Sequence, residues 1–239
     1  MRIDKLVSLA SGLSRKEVSV LAKKGAVTVN GAVVKDSSLH VNENADTVTL
    51  LGETLTYSEF VYFMINKPQG YVSATEDGNF PVVTELIPEK YRKRELFPVG
   101  RLDKDTVGLM ILTNNGKLAH ALLSPKRHCE KKYYFECKAP LSDSAIDAFK
   151  NGITLRDGYE CKSAGLLLYP DNKSGVITLT EGKYHQIKRM MGALDNRITY
   201  LKRISFADIP LDEKLREGEA RPLTKEEITL LENYNLRTY

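Results

Sequence analysis

The chain has 239 residues, of which 42% are hydrophobic and 28% charged, a composition that argues against long disorder and favours a small domain joined to a larger one. Its net charge of +4 permits a polyanionic partner without requiring one. Its three cysteines lie at spacings that fit neither a zinc site nor a disulfide framework, and no run approaches the roughly 20 apolar residues of a membrane helix. These features predict a cytoplasmic protein without metal or membrane association.

The N-terminal segment predicts two short helices followed by a β-hairpin. Residues 3–10 repeat apolar side chains at helical spacing, which indicates the first helix. Ser14 and Glu17 have the spacing of a capping box, in which a hydroxyl and a carboxylate bind free amides where a second helix begins. Asn30-Gly31 lies between β-forming residues and predicts the hairpin, because both residues accept positive φ. A further strand is predicted near residues 48–50.

Charge divides the first part of the chain. Residues 1–35 hold seven Lys and Arg against two acids, whereas residues 36–59 hold five acids and no Lys or Arg. A compact cationic face suits the phosphates of folded RNA, although surface helices often carry lysine. A polar linker predicts a domain boundary near Ser58, with a small domain over residues 1–58 and a large one over residues 59–239. The candidate RNA-binding residues of the small domain are Arg2, Lys5, Arg15, Lys16, Lys23 and Lys24.

Beyond residue 59 the sequence changes to apolar strands separated by turns, with fewer helices. This pattern predicts an α+β fold in which a mixed, mainly antiparallel sheet is flanked by helices. The predicted strands span residues 61–65, 96–99, 109–112, 133–137, 166–169 and 176–179. The predicted helices span residues 117–123, 142–150, 185–194 and 225–232, the last behind an N-capping Thr224.

Two carboxylates lie in one predicted turn. Residues 97–109 read Phe-Pro-Val-Gly-Arg-Leu-Asp-Lys-Asp-Thr-Val-Gly-Leu, a strand that enters a polar turn and leaves it as a strand. Asp and Thr before Gly are common turn formers, and a surface pair between Asp103 and Arg101 would explain Asp103. The residues alone therefore leave a catalytic carboxylate and a structural turn both open.

The same string resembles the signature of a known family. Gly-Arg-Leu-Asp-x-x-Thr-x-Gly-Leu, here residues 100–109, is similar to the sequence around the catalytic aspartate of pseudouridine synthases. In that pattern the aspartate corresponds to Asp103, and Asp105 falls at a variable position. Residues 66–71, Asn-Lys-Pro-Gln-Gly-Tyr, resemble the family's first motif, whose proline and glycine make a turn.

Two later strings extend this resemblance. Residues 131–133 resemble a Lys-x-Tyr motif, which implies that Tyr133 packs against the target base, although a tyrosine at the start of a strand is most often core. Residues 181–190 resemble the motif whose basic residue, here Lys188, pairs with the catalytic aspartate. Many relatives have Arg at that position, which has a planar fork that Lys lacks. Arg101 is a further supporting residue, and His185 is expected to be architectural or to face RNA.

The whole chain resembles one branch of that family. Residues 1–6, 14–15 and 27–31 resemble the S4 RNA-binding domain, and residues 124–131 and 221–224 resemble the RsuA family of small-subunit ribosomal RNA pseudouridine synthases. The resemblance implies an isomerase that converts one uridine of 16S ribosomal RNA, uridine 516 in the family's numbering, to pseudouridine. It implies 16S RNA in an assembling small subunit as the partner, and we expect a monomer.

Cations also cluster near the later motifs. Clustering favours RNA contact, although a solvated face explains any single cation about equally well. The candidates for RNA binding are Lys126, Arg127, Lys183 and Arg189, within a wider set of Lys131, Lys132, Lys188, Arg197, Lys202 and Arg203. Two alternatives stay open: a sister synthase that modifies 23S ribosomal RNA, and a non-catalytic S4-type RNA-binding protein of the ribosome.

The implied chemistry needs no cofactor. Pseudouridine formation breaks the bond from N1 to C1′ and joins C5 to C1′, so it is redox-neutral and requires neither an electron carrier nor a metal. An ionised carboxylate attacks C1′, attacks C6 or removes the C2′ proton, and the sequence leaves these three routes open. Because the reacting atoms are inaccessible in a stacked helix, the uridine is expected to flip out.

Overall fold

The computed structural model describes residues 1–124 and 127–236. The chain forms two compact units, one made of Met1–Val61 and Ile87–Leu96 and the other of Tyr62–Leu86 and Phe97–Tyr239. Within the described residues, no helix is both long enough and apolar enough to cross a membrane.

The first unit begins with the two predicted helices, α1 (Ile3–Ser11) and α2 (Arg15–Lys23). Helix α1 ends at Gly12, whose φ is +83° and whose missing Cβ leaves room for the backbone of Lys90. The capping box of α2 is present, because the Ser14 hydroxyl accepts from the Glu17 amide while the Glu17 carboxylate accepts from the Ser14 amide. Short-range sequence signals therefore predicted both helices correctly.

A small antiparallel sheet completes the first unit. Its strands are β1 (Val27–Val29), β2 (Ala32–Val33), β3 (Val48–Leu50) and β4 (Glu53–Thr54), in the order β2-β1-β3-β4. Asn30 and Gly31 have φ of 50° and 82°, which confirms the predicted hairpin turn. The sheet and both helices share a buried core that includes Leu6, Val18 and Val48.

The second unit is built on a nine-stranded sheet with the order β13-β5-β7-β11-β8-β10-β9, in which β6 also pairs with β7 and β12 with β11. Its strands are β5 (Tyr62–Lys67), β6 (Phe97–Pro98), β7 (Val107–Thr113), β8 (Lys131–Cys137), β9 (Gly165–Leu168), β10 (Ser174–Leu179), β11 (Ile198–Phe206), β12 (Ile209–Pro210) and β13 (Ala220–Pro222). The pairing of β7 with β11 is parallel and the other pairings described are antiparallel. The predicted α+β fold with a mixed, mainly antiparallel sheet is confirmed.

Helices pack against this sheet as predicted. They are α3 (Gly116–Leu123), α4 (Ser144–Asn151), α5 (Gln186–Ala193) and α6 (Lys225–Leu236), and this unit also has a 3₁₀ segment at Val83–Leu86. A second 3₁₀ segment, Glu89–Arg94, belongs to the first unit. Helix α6 begins behind Thr224, whose hydroxyl accepts from the Glu227 amide at 3.2 Å. Leu122 of α3 and Leu231 of α6 are buried in one core with Leu109 of β7, so these helices cover the sheet.

The prediction from sequence missed β11. This nine-residue strand contains Lys202 and Arg203, which we had interpreted as RNA contacts. Arg203 is instead only 2% exposed, its Nε donates to the Leu109 carbonyl at 2.7 Å, and its guanidinium lies over the ring of Phe206. The interpretation of Arg203 as a phosphate contact was wrong, because a buried guanidinium bonded inside the sheet is not available to RNA.

A close approach of β7 and β11 explains one glycine of the predicted motif. Gly108 has φ of +100°, and a Cβ there would lie 2.3 Å from the Arg203 carbonyl oxygen. Arg203 pairs with Gly108 on one side and with Tyr133 of β8 on the other. The three strands thus place the turn before β7 beside the start of β8.

Candidate active site

Asp103 lies in the connection from β6 to β7, within a segment of residues 102–106 that we call the Asp103 turn. The Thr106 amide donates to the Asp103 carbonyl at 3.1 Å and closes this turn. The Ser73 hydroxyl donates to the Leu102 carbonyl at 2.8 Å and accepts from the Leu102 amide at 2.9 Å. The backbone on both sides of the Asp103 carboxylate is therefore fixed by hydrogen bonds.

Lys67, at the end of β5, holds the same turn from inside the protein. Its side chain is fully buried, and its Nζ donates to the carbonyls of Thr106 at 2.8 Å, Pro68 at 3.1 Å and Lys104 at 3.2 Å. Burial lowers the pKa of Lys67 to about 8, although the charges of Asp105 and Asp103 oppose that shift. The string at residues 66–71 thus supports the Asp103 turn, a role that the sequence did not reveal.

Lys188 in α5 reaches the Asp103 turn from the other side. Its Nζ lies 2.9 Å from Oδ2 of Asp103 and 2.5 Å from Oδ1 of Asp105. Burial lowers the pKa of Lys188, but hydrogen bonds to Asp105 and Asp103 outweigh this effect and raise it above its ordinary value. Asp103 is thus paired with Lys188, while Arg101 lies exposed at the cleft.

Asp105 belongs to this ion cluster as well. Burial raises the pKa of the Asp105 carboxyl, but the hydrogen bond and charge of Lys188 outweigh it and lower the pKa below its ordinary value. The Asp105 side chain is 59% exposed, against 25% for Asp103. Both carboxylates therefore bind the ammonium, but Asp103 is the more enclosed of the two.

An aromatic pair adjoins the carboxylate. Nε2 of His185 lies 3.5 Å from Oδ1 of Asp103, and its backbone has a positive φ of 49° just before α5. The Tyr184 ring stacks on the His185 ring with centroids 3.8 Å apart and an interplanar angle of 16°. Our prediction from sequence gave Tyr184 no role, although an aromatic residue next to His185 in a cationic string was a usable signal.

A cleft opens over this cluster. Tyr133, only 8% exposed, forms part of its lining together with Leu179 and Leu201, while Asp103 and Lys188 supply the charge. An apolar wall beside one carboxylate suits a flat uncharged ring whose attached sugar reaches that carboxylate. Within the described parts of the chain, no cluster of three or more His, Cys, Asp or Glu is arranged to hold a metal ion.

The candidate RNA-binding residues lie in both units. Arg2 and Arg15 are exposed and both donate to the buried carboxylate of Asp4, and the other four candidates in the first unit, Lys5, Lys16, Lys23 and Lys24, are also exposed. In the second unit, Lys183 is exposed above the Tyr159 ring, and Arg189 is half-buried and paired with Asp157. Arg127 is half-buried, and Lys126 lies outside the described residues.

Comparison with known proteins places this architecture in a family. The RNA pseudouridylate synthase family model matches residues 61–193, and the S4 domain model matches residues 1–46. A crystal structure of a pseudouridylate synthase matches with a TM-score of 0.68 and 38% identity, covering 97% of this chain and 99% of that one. The chain therefore belongs to the RNA pseudouridylate synthase family, which confirms the predicted S4 domain and the predicted isomerase.

Curated relatives match over nearly their full length. An uncharacterized RNA pseudouridine synthase of Bacillus subtilis, YtzG, is 44% identical, with 97% of this chain and 98% of that protein covered. Ribosomal small subunit pseudouridine synthase A of Haemophilus influenzae is 39% identical, with 97% and 99% covered. The enzyme of the same name from Escherichia coli K12 is 36% identical, with 95% and 98% covered.

Proposed function

We propose that this enzyme isomerises one uridine of 16S ribosomal RNA, uridine 516 in the family's numbering, to pseudouridine, with Asp103 as its catalytic carboxylate. The observation that carries the proposal is the Asp103 carboxylate, held 2.9 Å from the Lys188 ammonium in a cleft that Tyr133 lines. The choice of 16S RNA is supported by two relatives named ribosomal small subunit pseudouridine synthase A.

The proposed roles follow from the contacts in the cleft. Lys188 orients the Asp103 carboxylate, because its ammonium lies at hydrogen-bond distance from Oδ2. Tyr133 provides an aromatic surface for a uracil that has flipped out of its helix. Asp103 then attacks C1′ or C6 as a nucleophile or removes the C2′ proton as a base. The isomerisation conserves all atoms and electrons, so this chemistry calls for no cofactor.

RNA binding is proposed for both parts of the chain. Residues 1–58 form the proposed S4-type RNA-binding domain and residues 59–239 the proposed catalytic domain. The six candidate cations of the first domain contact phosphates, and Arg101, Lys183 and Arg189 hold the backbone beside the cleft. The proposed substrate is 16S RNA in an assembling small subunit, which the enzyme modifies in the cytoplasm as a monomer.

Pseudouridine mapping tests this function. In a strain that lacks the gene, 16S RNA is expected to lose one pseudouridine, which the wild-type gene restores and an Asp103→Asn gene does not. Loss confined to 23S RNA would identify a sister synthase and overturn the choice of substrate. No loss in either RNA would favour a protein that only binds RNA.

A further inference from the structure

Tyr184 is an exposed aromatic residue beside the cleft. Its side chain is 74% exposed, and one face of its ring packs on the imidazole of His185. His185 lines the cleft and lies 3.5 Å from the Asp103 carboxylate. The other face of the Tyr184 ring is therefore open. The His185 ring lies between the Tyr184 ring and the Asp103 carboxylate.

The loop that carries Tyr184 is anchored at several points. The buried side chain of Gln186 accepts from the Lys183 amide at 2.9 Å and donates to the Glu181 carboxylate at 2.5 Å. Glu181 in turn accepts from the hydroxyl of Tyr159 at 3.1 Å. Nη1 of Arg189 donates to the Tyr184 carbonyl at 3.4 Å. Because these contacts fix the backbone on both sides, the exposure of Tyr184 is a property of an ordered loop.

His185 adds independent support. It holds a positive φ of 49°, a conformation that a residue with a Cβ seldom adopts. That conformation coincides with the stacked arrangement in which one ring meets Asp103 and the next ring faces solvent. Residues held in such conformations cluster at functional sites.

We propose that Tyr184 is a stacking platform for the base of a nucleotide next to the target uridine. When the uridine leaves its helix for the cleft, the neighbouring base loses a stacking partner, and an exposed aromatic ring just outside the cleft replaces it. The exposed Lys183 next to it in the chain supplies a cation for the accompanying phosphate. This inference rests on the proposed function and adds to it a second base-binding site.

Binding measurements with base-deleted RNA test the platform. In the Asp103→Asn background, Tyr184→Leu is expected to weaken binding of an RNA fragment, centred on the uridine that the mapping identifies, by about 5- to 150-fold. Tyr184→Phe keeps the ring and should bind within about twofold of its parent. Two further fragments each lack the base at one of the two positions that flank the uridine. On one of these fragments, Tyr184→Leu and its parent should bind with the same affinity.

Tyr169→Leu is the matched control. Tyr169 is 40% exposed and packs near Tyr134 instead of lining the cleft, so its substitution should leave the affinity unchanged. The inference is overturned if Tyr184→Leu binds the RNA as tightly as its parent does. It is also overturned if Tyr184→Leu loses affinity by the same factor on every base-deleted fragment, because that is the result expected of a residue that only supports His185. In either case the proposed function stands if the wild-type enzyme, which keeps Asp103, modifies the fragment, whereas absence of modification of any RNA by the wild-type enzyme overturns both.

Discussion

The end of β5 and the first turn of α5 each place a lysine against the Asp103 turn, but the two ammonium groups have different partners. Lys67 is fully buried and binds three backbone carbonyls, and burial lowers its pKa to about 8. Lys188 is half-buried and binds two carboxylates, which raise its pKa. The difference indicates that Lys67 fixes the shape of the turn, whereas Lys188 fixes the direction of the Asp103 carboxylate.

Replacing Lys67 should have the larger effect on folding. Lys67→Met keeps most of the volume but removes the donor to three carbonyls, and unsatisfied buried acceptors destabilise by about 1–3 kcal/mol each. Loss of the buried charge offsets part of this, so we expect the free energy of unfolding to fall by about 2–3 kcal/mol. Denaturant unfolding followed by circular dichroism measures it. Equal stability of Lys67→Met and wild type would contradict the role assigned to Lys67.

Replacing Lys188 should affect turnover much more than folding. Lys188→Met leaves the Asp103 carboxylate without its cation, and a misplacement of about 1 Å at a reacting group costs about 10²-fold in rate. Its effect on unfolding should stay below about 1 kcal/mol, since half-exposed ion pairs contribute little.

Lys188→Arg is the conservative control for that experiment. It keeps the positive charge beside both carboxylates and should retain most of the single-turnover rate. If Lys188→Met turns over like wild type, or if Lys188→Arg is as slow as Lys188→Met, the ammonium does not position the Asp103 carboxylate.

The pH dependence of stability should show the smallest of these effects. The pKa of Lys67 is lowered from 10.5 to about 8 on folding, so between these values the unfolded chain binds the proton more strongly than the folded chain. The contribution of Lys67 to the free energy of unfolding is therefore lowest below pH 8, and it rises as the pH increases through that value. The difference in stability between wild type and Lys67→Met should grow by about 1 kcal/mol from pH 7 to pH 9. If this difference in stability shrinks from pH 7 to pH 9, the result would contradict a buried, charged ammonium group at Lys67.

Much of the fold could be predicted because its signals are local. The capping box of Ser14 and Glu17 and the Asn30-Gly31 turn act within a few residues, and both are present as predicted. Strand β11 could not be predicted in this way, because Lys202 and Arg203 look like surface cations. Arg203 can be buried inside the sheet because its guanidinium donates to a carbonyl of β7 and lies over the ring of Phe206.

The site was predictable to the extent that it resembles a family. The pairing of Lys188 with Asp103 joins residues far apart in the chain, so it followed from the matched motifs and not from any local pattern. Neither Lys67 nor Tyr184 was assigned a role from the matched motifs. The partners of Lys67 are backbone atoms, and the importance of Tyr184 depends on how the loop before α5 folds.

Single-turnover release of tritium from C5-labelled uridine in the target RNA tests the central claim most directly, with Asp103→Asn and Asp105→Asn as a matched pair. Both variants remove one carboxylate beside Lys188 and should keep the fold, checked by circular dichroism. We predict that Asp103→Asn loses several orders of magnitude in rate while still binding RNA, and that Asp105→Asn loses little. A folded Asp103→Asn enzyme that releases tritium near the wild-type rate would contradict the assignment of Asp103 as the catalytic carboxylate.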